Sequence, residues 1–287
     1  MKLDTVAAMN SVIKNIFLMI IVNVGIVYGV TISEGPQLPY GVSGHCAGIV
    51  GGKVVVAGGS YWNEDKTQKV FLKKSLVFKE GCWIDGLLLP AEVYCGMFAY
   101  DDTGLYIVGG RNSQRMSAAF FCIKNNSGNL NVVKFHDFPT DTADGSAAIL
   151  NSVLYAACPS DSNGATNSFW SINLDSQDNH WIQRTSLPGK ARSFPGLNRC
   201  GQKIILLGGL VLPGFEVLKD VYAYDPNENK WDKLGDMPSP CYGFGARAIS
   251  KNKILISGIA DQKIGNSIWV LDIHNMTVQN VGNTIIP

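Results

Sequence analysis

The chain is predicted to be all-β, five repeated four-stranded sheets in succession, and three observations in the sequence lead there. The first is an apolar run ending in glycine that recurs as Val54-Val55-Val56-Ala57-Gly58-Gly59, Leu105-Tyr106-Ile107-Val108-Gly109-Gly110 and Ile204-Ile205-Leu206-Leu207-Gly208-Gly209. Weaker copies stand at Leu154-Tyr155-Ala156-Ala157-Cys158 and Ile254-Leu255-Ile256-Ser257-Gly258, so the five copies step by 49 to 51 residues. The second is a proline series in phase with it, Pro39, Pro90, Pro139, Pro188, Pro238 and Pro287. The third is a tryptophan seven residues before three of those prolines, at Trp83, Trp181 and Trp231. A fixed period of this size marks a repeat architecture, and four strand-like pieces per period make each unit a β-propeller blade.

Within each unit, β-forming residues are bounded by Gly, Asn, Asp and Pro, the pattern of short strands and tight turns. Unit one predicts strands over 45–50, 53–57, 74–78 and 82–85, closing at Leu89-Pro90. Unit two predicts 96–100, 105–108, 119–123 and 130–133, closing at Phe138-Pro139. Unit three predicts 146–150, 153–157, 168–174 and 180–183, up to Leu187-Pro188. Unit four runs through 194–197, 203–207, 220–224 and 230–233 to Met237-Pro238. Unit five takes 245–249, 253–257, 267–272 and 276–280. The glycine pair is expected where the second strand ends near a crowded central channel, because a Cβ would collide or φ is positive there. The tryptophan, on the outer strand, fills the widening gap between blades. Val132 and Asn280 hold that place in units two and five, whose seams are expected to pack less well. Proline then ends the ladder and turns the chain to the next blade.

The repeat runs without a break after Pro39, so residues 30–287 read as one propeller domain, and 46% apolar content with 31 glycines suits that core. A net charge of +1 and the lack of a basic stripe give no sign of a nucleic-acid partner. Residues 1–29 differ: Lys2 and Lys14 precede Ile16-Phe17-Leu18-Met19-Ile20-Ile21-Val22. An apolar run of roughly 15 residues fits a signal segment better than the roughly 20 needed to span a bilayer. An uncleaved N-terminal anchor is the competing reading, and only that would tie the chain to a membrane. Either way the propeller is expected to be exported, periplasmic or secreted. Seven cysteines without a C-x-x-C pair argue against a disulfide framework and a zinc site, so no metal is expected. On strand-like stretches these thiols pack as small hydrophobes.

The paired glycines, a Tyr-Asp end to the third strand and the spaced tryptophan resemble the kelch repeat, most clearly in Val221-Tyr222-Ala223-Tyr224-Asp225-Pro226 with Asn229-Lys230-Trp231. Ser43-Gly44-His45-Cys46-Ala47-Gly48, followed by Val56-Ala57-Gly58-Gly59 and Leu72-Lys73-Lys74-Ser75, is similar to one blade of the bacterial sialic acid mutarotases (N-acetylneuraminate epimerases). Leu187-Pro188-Gly189-Lys190-Ala191-Arg192 resembles that family's Pro-Gly-x-x-Arg blade junction, and the unit order resembles its circularly permuted branch. The resemblance spans about residues 39–259. It implies a kelch-type propeller of six blades and a cofactor-independent isomerase that interconverts anomers of N-acetylneuraminate.

Two departures stand against it. Five complete units are present, and Val30-Thr31-Ile32-Ser33 reads as the outer strand of a further blade whose inner strands would follow Pro287. A five-bladed ring and a shortened six-bladed one both stay open. The family's glutamate, directly after the glycine that ends a second strand, is also missing: those places read Gly58-Gly59, Gly109-Gly110, Cys158, Gly208-Gly209 and Gly258-Ile259. That absence keeps an alternative in view, a non-catalytic module binding a glycan or a protein.

Mutarotation moves a proton off the anomeric hydroxyl and another onto the ring oxygen, and a sialic acid's carboxylate calls for an arginine fork. Three arginines are candidates to bind substrate: Arg111 directly after Gly110, Arg192 at the junction, and Arg247 on the inner strand of unit five. The catalytic candidates are His45, on an inner strand and able to titrate near neutrality, and Glu216, on the long loop of unit four with Asp220. Tyr61, Trp62 and Tyr242 are candidates to stack on a sugar face. Each has an ordinary structural alternative: a solvated arginine, a histidine bonded to a carbonyl, a carboxylate that caps a turn.

Overall fold

The structure, a computed structural model, describes residues 20–21, 31–32, 35–176, 180–258 and 267–283. Every regular element among them is a strand. Blade one is Cys46–Val50, Lys53–Ala57, Lys74–Lys79 and Cys82–Leu88. Blade two is Met97–Asp101, Gly104–Val108, Phe120–Asn126 and Asn129–Lys134. Blade three is Ser146–Leu150, Val153–Ala157, Phe169–Asn173 and Ile182–Arg184. Blade four is Gly196–Cys200, Lys203–Val211, Glu216–Asp225 and Lys230–Asp236. Blade five is Gly245–Ala248, Lys253–Ser257, Ser267–Asp272 and Thr277–Asn283. Each is an antiparallel meander whose spatial order follows the sequence. The protein is a five-bladed β-propeller.

Inner strands pack one blade on the next, from the first to the fifth, so the apolar cores lie in the seams. Alternate residues of a strand face opposite seams. Leu105 and Ile107 meet Val50, Val55 and Ala57 of blade one, whereas Tyr106 and Val108 meet Ala147 and Leu154 of blade three. In the same way Leu206 faces Tyr155 and Phe169, and Ile205 faces Ile254 and Ile256. A strand covered on both faces has no need of polar residues, which is why the second strands read as unbroken apolar runs.

The tryptophans do more than fill gaps. Trp83 Nε1 donates to Pro36 O at 2.9 Å, Trp181 Nε1 to His136 O at 3.3 Å and Trp231 Nε1 to Thr185 O at 2.9 Å. Each acceptor lies three residues before a proline of the series, so the outer strand of one blade is tied to the segment leading into that blade. Trp231 also packs edge-on to Phe169 at 4.8 Å, and Trp181 to Phe138 at the same distance. Val132 takes the tryptophan's place in the seam between blades one and two, where it and Leu130 pack partly buried against the core that holds Leu105 and Ile107.

The glycine pairs are explained differently from the expectation. A Cβ on Gly109 (φ +66°) would strike Thr142 O, and one on Gly208 (φ +51°) would strike Cys241 O. Both carbonyls belong to the segment leading into the next blade, and both accept a bond of 2.8 Å, from Gly110 N and Gly209 N. The crowding therefore comes from the neighbouring blade's lead-in rather than from the channel.

Two connections depart from the predicted pattern. Ser60–Trp62 pairs with Lys69–Phe71 as a separate hairpin in blade one. In blade four the second and third strands run past a bulge at Leu207/Gly209, so Glu216 begins a strand rather than lying on a loop. The segment 30–33 is described only at Thr31–Ile32, which pairs with Ile20–Ile21. The remainder of the predicted signal segment, Ile259 and Pro287 lie outside the described residues. No helix among the described residues is long and apolar enough to cross a membrane.

Candidate functional site

A cavity of about 1050 Å³ runs along the axis, lined by Gly44 and His45 of blade one and by the inner strands of the other four blades. One mouth is framed by a repeated backbone device. The residue that leads into each inner strand has positive φ: Gly44 (+62°), Cys95 (+54°), Asp144 (+63°), Phe194 (+55°) and Gly243 (+59°). These residues are bonded in series: Cys95 N to Gly44 O at 2.7 Å, Asp144 N to Cys95 O at 2.9 Å, Phe194 N to Asp144 O at 2.6 Å and Gly243 N to Phe194 O at 3.1 Å. Three of the five carry a Cβ, and aspartate tolerates this backbone region better than most residues do.

The five sequence candidates separate on this geometry. Arg247 lines the cavity, exposed, with its guanidinium 4.2 Å from the Tyr100 ring centre in a cation–π contact. His45 also lines it, partly buried; burial lowers its pKa from the usual 6.5, and Nδ1 has no hydrogen-bond partner. Arg111 is not a free cation. Its Nη2 is bonded to Asp144 Oδ2, a carboxylate that lines the cavity and is only 6% exposed.

Arg192 and Glu216 are placed elsewhere. Arg192 is 0% exposed: Nη2 donates to Asp220 Oδ2 and Nη1 to Gly208 O, both at 2.9 Å, and Nε donates to Lys190 O at 3.0 Å. A Cβ on Gly189 would strike this guanidinium. The Pro-Gly-x-x-Arg junction is thus an internal latch, with the glycine making room for the arginine. Glu216 sits on the extended hairpin of blade four, half exposed and ion-paired to Lys190 at 2.6 Å, away from the cavity. Of the predicted stacking residues none lines the cavity; its aromatic walls are Phe98, Tyr100, Phe194 and Phe244.

The sequence reading missed three lining residues. Asn198 is 5% exposed and its Oδ1 accepts from Ala248 N at 3.1 Å, which fixes the amide orientation and leaves Nδ2 without a partner. Arg199 beside it is exposed, and Asp144 is the third. The predicted inner strand ended at residue 197; the observed one, Gly196–Cys200, carries Asn198 and Arg199 into the wall. Ion pairs of Arg199 or Arg247 with a carboxylate are absent among the described residues. Arg199 and Arg247 are thus two cavity-lining guanidinium groups outside any ion pair among the described residues, and a guanidinium suits a carboxylate.

The comparisons with known proteins agree with this architecture. A family model described as the KLHDC2/KLHL20/DRC7 Kelch-repeats domain matches residues 95–285. A Kelch domain-containing protein of Vibrio cholerae serotype O1 is 26% identical over 136 residues, 46% of this chain and 37% of that protein. N-acetylneuraminate epimerases of Salmonella typhi and Pasteurella multocida are 29% and 24% identical over 141 and 140 residues, each alignment taking 47% of this chain and 35% and 36% of the relative. The chain spans little more than a third of the length of the curated relatives it matches. A solved structure described as "Structure of YjhT" superposes with a TM-score of 0.76 over 89% of this chain and 88% of that one, at 10% identity. That likeness speaks to the fold.

Proposed function

The chain belongs to the kelch-repeat family that matches it over residues 95–285, and we propose that it is a sialic acid mutarotase-like propeller, interconverting anomers of N-acetylneuraminate in its axial cavity. The observation that carries this reading is Arg247, exposed on the cavity wall and outside any ion pair among the described residues. The carboxylate of an acidic sugar can pair with it. The similarity to N-acetylneuraminate epimerases names a compatible substrate, and the predicted signal segment would place the protein outside the cytoplasm.

Catalysis on this reading is proton transfer at the anomeric centre while the arginines hold the carboxylate still. His45 is the sequence candidate that reaches the cavity. A second reading, binding without catalysis, is favoured by one observation: where the described second strands end, Gly58-Gly59, Gly109-Gly110, Cys158, Gly208-Gly209 and Gly258 present no carboxylate.

NMR exchange between the anomers of N-acetylneuraminate, with and without protein, separates the two. Mutarotase action gives faster exchange with protein. Arg247→Ala should then weaken substrate binding by about 10- to 100-fold, the range expected for a lost charged hydrogen bond of about 1.5–3 kcal/mol. Ligand shifts without faster exchange leave the binding module.

A further inference from the structure

We propose that Asp144 is the catalytic acid–base carboxylate of the cavity, an inference that rests on the mutarotase reading. The motif expected of the family puts a glutamate at the end of a second strand, and no carboxylate stands there. Asp144 reaches the cavity from a different place in the blade, the residue just ahead of the inner strand of blade three. The residue is only 6% exposed, and its Oδ1 is itself buried. Oδ2 is held by Arg111 Nη2, while Oδ1 has no partner and Asp144 lines the cavity. A buried carboxylate oxygen left unpaired is costly, and a sugar hydroxyl in the cavity is the donor that relieves it.

The backbone explains how the side chain comes to be there. With φ at +63°, and with Asp144 N bonded to Cys95 O and Asp144 O to Phe194 N, the residue is fixed from both sides in the rim. Two links of the same series separate it from Gly44, whose neighbour His45 lines the cavity too. Burial lowers the pKa of His45 and so disfavours its protonated form. The carboxylate can do both halves of the work.

Oδ1 takes the proton of the anomeric hydroxyl, and the O–H electron pair becomes the second bond of the carbonyl at the anomeric carbon. The bond from that carbon to the ring oxygen breaks, its electron pair stays on the ring oxygen, and Oδ1 returns the proton there. Rotation about the exposed carbon–carbon bond and the same steps in reverse close the other anomer. No cofactor or co-reactant is consumed. Arg111 is a positioning residue: it stabilises the carboxylate and keeps Oδ2 out of the exchange, which aims Oδ1.

The test is Asp144→Asn, with Asp144→Gly as a second variant; both residues accept positive φ, so the rim can keep its backbone. Anomer exchange of N-acetylneuraminate is followed by NMR, its binding by calorimetry and folding by thermal melting. The expected result is a fall in the catalysed rate of about 100-fold or more, with binding no weaker than wild type and melting retained in at least one variant. Wild-type-like exchange in a folded variant overturns the role of Asp144 and leaves the mutarotase reading standing. No catalysed exchange by the wild-type protein overturns both. A rate that collapses in His45→Gln while Asp144→Asn keeps it assigns the proton transfer to His45 and overturns the proposal.

Discussion

The propeller holds two arginine–carboxylate pairs of the same chemistry in different settings. At the junction of blades three and four, Arg192 meets Asp220 through two hydrogen bonds and also donates to Gly208 O and Lys190 O. Each of its three nitrogens has a partner, and the guanidinium is sealed from water. At the channel rim, Arg111 meets Asp144 through one bond, and both partners keep a buried atom unused, Arg111 Nε and Asp144 Oδ1. The closed pair builds the frame; the open pair has capacity for a ligand. Hydrogen-bond completeness separates structural from chemical roles here, where residue type does not.

The largest expected effect falls on the closed pair. Arg192→Met leaves Asp220, 16% exposed, without its partner, and urea unfolding should show a loss of up to about 3–5 kcal/mol, the range for breaking a buried pair from one side. A loss below 1 kcal/mol would erase the distinction between the two pairs. Gly189→Ala tests the same latch more gently: the added methyl must displace the guanidinium, at about 1–3 kcal/mol.

His45 gives a pH-dependent effect. Its pKa is lowered in the folded state by burial, so above about 6.5, the ordinary histidine value, both states are neutral and nothing is lost. Below that value the unfolded chain takes the proton first, and stability falls until the folded-state pKa is passed. Melting temperatures at pH 7.5 and 5.0 should therefore fall further apart in wild type than in His45→Gln. The smallest effect belongs to Glu216→Gln. This exposed pair with Lys190 is worth about 0–1 kcal/mol, and anomer exchange should be unchanged. A large loss of exchange would bring Glu216 back toward the chemistry.

How much of this was legible depends on whether the signal repeats. Strand order and blade count follow from runs such as 105–108 and 204–207, because covering both faces of a strand imposes an apolar run every 49 to 51 residues. The junction motif marks Arg192 for the substrate, whereas the structure buries its guanidinium in the latch. Spacing shows that Gly189 and Arg192 go together, but not that Asp220 returns across the blade to meet them. The glycines at 208–209 read as a strand end and leave Glu216 on a loop, whereas the bulge there lets the ladder continue to Glu216. Asp144 gave no signal of its own. Its phase with Gly44 and Gly243, two glycines at positive φ, is the clue that a side chain there would be held in an uncommon backbone state.

The hydrogen-bonded series from Gly44 to Gly243 has a consequence for how such a molecule changes over time. The bore of the channel is stitched by main-chain atoms, four links in length, and main-chain atoms are common to every amino acid. Cysteine, aspartate and phenylalanine already share the stitching with glycine. A lineage can therefore trade what hangs inside the hole, and so the guest it admits, while the main-chain series stays in place.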